Sequence, residues 1–271
     1  MTRLVFLDVD GTLIDHSQRV PASAQEAVRA AVDAGHVLML CTGRAIPEIY
    51  PDIWDLGFTG IVASNGAYVR LGADVLTDVR LDAAQVAEVS GVLDDLGAHY
   101  VWQSPDAMHP SAGFAQAFTE LAALTGGQWD RYLDYIADYT REGLPESSSK
   151  CTFTVPSATG HDLSDVTGAL AGAYTVFAGS ISTGAGVSGE LVANGVSKGA
   201  GLARVVAHLG ADVADTIAVG DSANDLPMLA AAGTSIAMGN GTPEAKAAAS
   251  WVTSRIDEDG LARAFAHAAL I

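Results

Sequence analysis

The sequence predicts an α/β protein built on a parallel sheet and interrupted by a long α+β insertion. Three observations carry this. Short apolar runs rich in β-branched residues recur along both ends of the chain, amphipathic helical patterns stand between them, and the alternation lapses over the middle third. At 271 residues, 49% of them hydrophobic, the chain has material for one large domain or two modest ones.

The runs LVFL (4–7), VLMLC (37–41), GIVAS (60–64) and TIAVG (216–220) read as strands covered on both faces, because they are continuously apolar rather than alternating. Between the first two, Ser23-Ala24-Gln25-Glu26 has the form of a capping box. Ala24, Ala27, Val28, Ala31 and Val32 follow at helical spacing, and Gly35 stands where a helix C-terminal glycine belongs. Lys198–Leu209 predicts a second helix before TIAVG, and Pro243–Ala249 a third before WVT.

From about Leu81 to Glu190 the pattern is mixed. Helices are expected over Ala83–Leu96 and Ala112–Leu124, and strands over Lys150–Val155 and Tyr174–Ile181. The Gly/Ser-rich GSISTGAGVSGELV predicts a hairpin returning to the core, with Leu76–Arg80 as the outgoing linker. Trp129, Tyr132, Leu133, Ile136 and Tyr139 recur at helical spacing, a stripe that fits core packing better than a ligand box.

Charge excludes several function classes. There are 14 Lys+Arg against 32 Asp+Glu, a formal net charge of -18, so attraction to nucleic acid or to an anionic membrane surface is not expected. The N-terminal run meets Asp8 too early for a secretory h-region, and no apolar stretch is long enough to span a bilayer, so a cytoplasmic protein is expected. The two cysteines, Cys41 and Cys151, have no CxxC context and read as buried thiols; the seven histidines show no ligand spacing.

The chemistry concentrates at strand ends. Asp8 and Asp10 stand two residues apart after the first run, on one side of the chain, before Gly11-Thr12 turns it. TIAVG ends in GDSAND, which adds Asp221, Asn224 and Asp225. In open α/β sheets these carboxyl ends face the ligand crevice. Two carboxylates about 4 Å apart repel by about 4 kcal/mol at an effective dielectric of 20, so such a cluster calls for a cation. Oxygen-only ligands suit Mg²⁺, which usually shares its shell with a substrate phosphate. Thr42 and Gly43 of CTGR, Lys198 of GVSKG and the Asn224 amide are suitable phosphate partners. Arg44 either pairs with a carboxylate near the mouth or touches substrate, and Asp225 either joins the metal site or caps the helix after it.

DVDGT, CTGR, GVSKG and GDSAND, in that order, resemble the four motifs of the haloacid dehalogenase-like phosphatases, and SNGA with AMGNGTPEAKAAASWVT is similar to the Cof-type branch with a type IIB cap. The resemblance implies a Rossmann-like core over 1–80 and 188–271 and an inserted α+β cap over 81–187. It also implies a Mg²⁺-dependent phosphatase of small phosphorylated metabolites such as sugar phosphates. In that reading Asp8 attacks phosphorus, Asp10 serves as acid and then base, and Thr42 and Lys198 hold the phosphoryl oxygens. Asp8, Asp10 through its backbone carbonyl, and Asp221 bind the metal, with Asn224 and Asp225 adjacent. His109, Arg131, Arg141 and Lys150 are the candidate substrate contacts of the cap, and cap and core are expected to hinge near Thr77–Leu81 and Val187–Val192. A phosphomutase or phosphotransferase of the same superfamily is the alternative, and a phospho-acceptor regulator is the alternative from another class.

Overall fold

The computed structural model describes residues 2–124, 130–183 and 185–271. They form two compact units, one of Met1–Arg44, Ile49–Asp78 and Ser197–Ile271, the other of Ala45–Glu48 and Val79–Val196.

The first unit begins with β1 (Leu4–Leu7), β2 (Val37–Cys41), β3 (Gly60–Ala63), β4 (Tyr68–Leu71) and β5 (Asp74–Asp78). The insertion carries β6 (Leu81–Asp82), β7 (His99–Gln103), β8 (Met108–Pro110), β9 (Ser147–Ser148), β10 (Lys150–Pro156), β11 (Tyr174–Thr183) and β12 (Gly186–Ala193). The chain then completes the first unit with β13 (Thr216–Gly220), β14 (Thr234–Ala237) and β15 (Trp251–Val252).

Among the described residues the first unit holds an eight-stranded sheet in the order β15-β14-β13-β1-β2-β3-β4-β5. It is parallel from β15 to β3, and β4 and β5 return antiparallel at the edge. The four strands read from apolar runs are all central, because only central strands of a covered parallel sheet need apolar residues at every position. The half-exposed edge strand β5 occupies most of Leu76–Arg80, which was expected as linker. Phe6, Met39, Cys41, Val62, Leu202, Val205, Ala218 and Met228 share one core, closed by the helix Lys198–Leu209.

The helix Ala22–Asp33 buries Ala24, Ala27, Val28 and Ala31, as their spacing requires, and Gly35 follows it with φ +83°. The Ser23 capping box does not form. The helix starts at Ala22, two residues before the start that an N-cap at Ser23 would set, and Pro21 stands at the N-cap with no side-chain cap.

The inserted unit holds a five-stranded antiparallel sheet, β11-β12-β10-β7-β8. The helices Ala83–Asp95 and Leu163–Ala169 contribute Val86, Val89, Leu93 and Val166 to its main core with Trp102, Cys151, Phe153 and Leu191. Both helices start in acidic capping boxes, at Asp82 with Gln85 and at Asp162 with Asp165. A second cluster joins Val101, Met108, Phe114, Tyr132 and Ile136, with Leu133 and Tyr139 packed against it, so the aromatic stripe is core; Trp129 lies outside the described residues.

The expected boundaries at 80/81 and 187/188 move to 78/79 and 196/197. The second shift has a clear cause. Val187 to Val192 are hydrogen-bonded within β12 to β10 and β11, so this segment is the middle of a sheet and not a linker. No helix among the described residues is long and apolar enough to cross a membrane.

Phe6 is fully buried between β2 and β13. Phe6→Ala is expected to cost about 3–5 kcal/mol of the first unit's stability, read from the shift in its urea unfolding midpoint.

Candidate active site

The site is assembled where strand order reverses. From β1 the chain moves outward to β2 and β3; β13 to β15 later fill the opposite side, so the carboxyl ends of β1 and β13 lie side by side. Asp8 follows β1 and its amide donates to Val219 O at 3.0 Å. Asp221 follows β13, and Thr42 follows β2 on the other flank.

Gly11 makes the turn after Asp10. It has φ +83°, and a side chain there would run into the Asp221 carboxylate, so glycine serves both conformation and space. Asn240 Nδ2 donates to Gly11 O at 2.8 Å while its Oδ1 accepts from Ile256 N at 2.9 Å, tying the turn to the far edge of the sheet.

Lys198 is the first residue of its helix, whose N-cap Ser197 accepts from Ala200 N at 3.1 Å. Its ammonium is fully buried and donates to Asp8 Oδ1 at 2.7 Å, to Asp225 Oδ1 and, weakly, to Asn224 Oδ1 at 3.4 Å. Burial alone would push the ammonium down in pKa, but Asp225 and then Asp8 outweigh it and hold it above its ordinary value. Burial, then the neighbouring Asp225, push Asp8 well above the carboxylate range, and the same two causes push Asp221 up to about 7.

Asp225 is fully occupied. Oδ1 takes the lysine, and Oδ2 accepts from the amides of Asp221 and Ser222, each at 2.9 Å. It holds the GDSAND turn and the lysine; it does not cap the Leu226–Ala231 helix with its side chain. Asn224 is also engaged, since Nδ2 donates to Asn65 Oδ1 at 3.0 Å and Oδ1 accepts from Ser222 Oγ at 2.8 Å. These bonds give it a part in shaping the loop.

Asp10 stands apart from this cluster. Its oxygens accept from Arg44 Nε at 2.8 Å and Nη2 at 2.7 Å, so Arg44 is turned to a carboxylate rather than left for substrate. The metal role expected of Asp10 is that of its backbone carbonyl, and its side chain is bound to the guanidinium. Thr42 is buried, and its Oγ1 accepts from Arg44 N at 3.1 Å. Gly43 lies between them in the loop leaving β2.

The carboxylates of Asp8, Asp221 and Asp225 offer oxygens within 4.8 Å of one another. Fully ionised, they would set three negative charges against one ammonium, a deficit of two. Asp221 Oδ1 is buried with no hydrogen-bond partner. An orphaned buried carboxylate oxygen, an all-oxygen donor set and a charge deficit of two fit a hard divalent cation.

The model of the haloacid dehalogenase-like hydrolases matches residues 5–265. The chain belongs to the haloacid dehalogenase-like hydrolases. Among its relatives, YkrA of Bacillus subtilis is 27% identical over all of this chain and 99% of its own. YwtE of the same organism, named a 5-amino-6-(5-phospho-D-ribitylamino)uracil phosphatase, is 25% identical over 96% of each chain. The fold is that of the solved subclass IIB sugar phosphatase BT4131, at 24% identity, full coverage of both chains and a TM-score of 0.77.

Within this hydrolase, Asp8, Lys198, Asp221, Asn224 and Asp225 of the motifs lie together, and the carboxylate that Arg44 pairs with is Asp10. Motif reading missed Asn65, Asn240 and Gln18. Asn65 sits in SNG, where Ser64, Asn65 and Gly66 have successive φ of +50°, +55° and +103°, and the Ser197 backbone leaves no room for a side chain at Gly66. Such a dipeptide as Asn-Gly marks a left-handed turn, a signal that was visible in the sequence. Asn240 also precedes a glycine, in GNG, though neither residue has a positive φ there; Gln18 had no such signal.

In the inserted unit His109 Nδ1 lies 2.9 Å from Gly143 O, and Arg141 donates to the carbonyls of Asp138 and Thr140. Lys150 is buried and donates to Glu190 Oε1 at 2.8 Å. The side chain of Arg131 lies outside the described residues. Cys41 and Cys151 are buried free thiols, and burial pushes both well above the ordinary thiol pKa.

Asp221 rises from an ordinary 3.8 to about 7, so between those values the folded chain binds more protons than the unfolded chain. Stability in chelator should then fall as pH rises from about 4 to 7. Asp221→Asn is expected to melt higher than wild type at pH 8, on the order of 5 °C, and nearly equal to it at pH 4, measured by calorimetry in chelator.

Proposed function

We propose that this hydrolase cleaves phosphomonoesters of small metabolites, sugar phosphates among them, through an aspartyl-phosphate on Asp8. The observation that carries the reading is the Asp8 carboxylate, held by a buried lysine beside the partnerless oxygen of Asp221. The names of YwtE and BT4131 support phosphorylated metabolites as the substrate class.

Asp8 has one oxygen fixed by Lys198, which orients the carboxylate and leaves a lone pair for in-line attack. A bond forms from Asp8 to phosphorus as the bond from phosphorus to the alcohol oxygen breaks. Asp10 delivers a proton to that oxygen and later takes one from the water that attacks the phosphoenzyme, releasing phosphate and restoring Asp8. Lys198 faces the developing negative charge, and the Thr42 hydroxyl, which uses its oxygen to accept from Arg44 N, keeps its hydrogen for a phosphoryl oxygen. Asp8, Asp221 and the Asp10 carbonyl would hold Mg²⁺, which supplies the charge neutralisation that lets a phosphate dianion enter an acidic pocket.

Asp8→Asn is expected to lose at least about 10³-fold in p-nitrophenyl phosphate turnover and to form no phosphoenzyme in rapid-quench mass spectrometry. Chelator is expected to abolish wild-type turnover and Mg²⁺ to restore it. Full turnover by Asp8→Asn would refute the assignment.

A further inference from the structure

The Asp10 side chain is 41% exposed and stands on a turn, where a carboxylate free to rotate would spend little time aimed at one leaving group. The fork of Arg44 removes that freedom by engaging both oxygens. A guanidinium has rotamers of its own, and three features fix this one. It is 7% exposed, its CZ lies 5.5 Å from the Tyr50 ring centroid, and Nη2 also donates to Gln18 Oε1 at 2.6 Å.

Gln18 is an unusual residue to find there. It has φ +61°, a left-handed conformation that disfavours any side chain, yet it is 7% exposed and directed to Arg44. A small loop makes this possible. Asp15 Oδ1 accepts from Ser17 N, Ser17 Oγ and Arg19 N, Asp15 N donates to Arg19 O, and Gln18 N donates to Asp15 O. None of these hydrogen bonds uses the Gln18 side chain, and glycine or asparagine would suit its backbone better. The amide is therefore accounted for by Arg44.

We propose that Gln18 is a positioning residue for proton transfer: it orients Arg44, and Arg44 holds the Asp10 carboxyl toward the leaving oxygen. This rests on the reading of Asp10 as proton donor and acceptor. The consequence is selective. Departure of a basic phenol depends on its protonation far more than departure of an acidic nitrophenol, and kcat/KM reports steps only through formation of the phosphoenzyme.

The test compares phenyl phosphate with p-nitrophenyl phosphate, two substrates of nearly one shape, in Mg²⁺. Gln18→Met, which keeps volume and removes the acceptor, is expected to lower kcat/KM for phenyl phosphate about tenfold or more and for p-nitrophenyl phosphate less than about threefold. Gln18→Glu, which keeps an acceptor, is expected to recover phenyl phosphate to within about threefold of wild type. Gln18→Gly should show the Gln18→Met pattern while melting no lower than wild type. Equal losses on both substrates, no loss, or a loss that tracks a lowered melting temperature would each overturn the inference. Wild-type protein inactive on both substrates would overturn the phosphatase reading, and this inference with it.

Discussion

The site depends on one buried ammonium. Lys198 has no contact with solvent, and its charge is tolerable only because Asp8 and Asp225 receive it. A buried ion costs several kcal/mol to desolvate, and removing one partner of such a pair typically costs 3–5 kcal/mol. The same carboxylates could not lie together without the lysine. Each group is thus the condition for the others, and the ends of β1 and β13 and the start of the Lys198–Leu209 helix must meet within hydrogen-bond distance or none can be buried.

The parallel sheet satisfies that condition with little additional machinery. β1 and β13 are neighbours and deliver Asp8 and Asp221 from adjacent carboxyl ends, while the helix that opens at Lys198 covers the same edge. Close approach is secured by missing side chains. A side chain at Gly220 would collide with Asp225, one at Gly11 with Asp221, and one at Gly66 with the Ser197 backbone. Fully ionised, the three carboxylates would leave two negative charges unanswered by the lysine, and the orphaned Asp221 oxygen is where that deficit is felt.

Much of this was legible in the sequence, for an identifiable reason. The central strands are apolar throughout because both faces are covered, and charged residues at their ends then stand out against them. Asp8, Asp10, Lys198, Asp221 and Asp225 are conspicuous by contrast. The edge strand β5 and the two-residue β6 and β9 were not legible, since half-exposed segments lack that signature. The boundary after β12 was misplaced because a Gly/Ser-rich strand resembles a linker until its partners are known. The capping box at Ser23 was a chance pattern, since the helix starts at Ala22. Division of labour among the acids was the deepest gap: spacing cannot tell that Asp225 is saturated by amides and lysine, that Arg44 takes Asp10, or that Gln18 reaches Arg44 from a left-handed turn.

The central claim is that Asp8 and Asp221 form a cation site whose carboxylates are held partly protonated until a divalent ion arrives. Titration calorimetry of Mg²⁺ into metal-free protein at pH 6, repeated in buffers of different ionisation enthalpy, tests it directly. The account predicts saturable binding with release of about one proton per ion, since the ligands must be deprotonated to bind. Binding with no buffer dependence, or none at all, would contradict it.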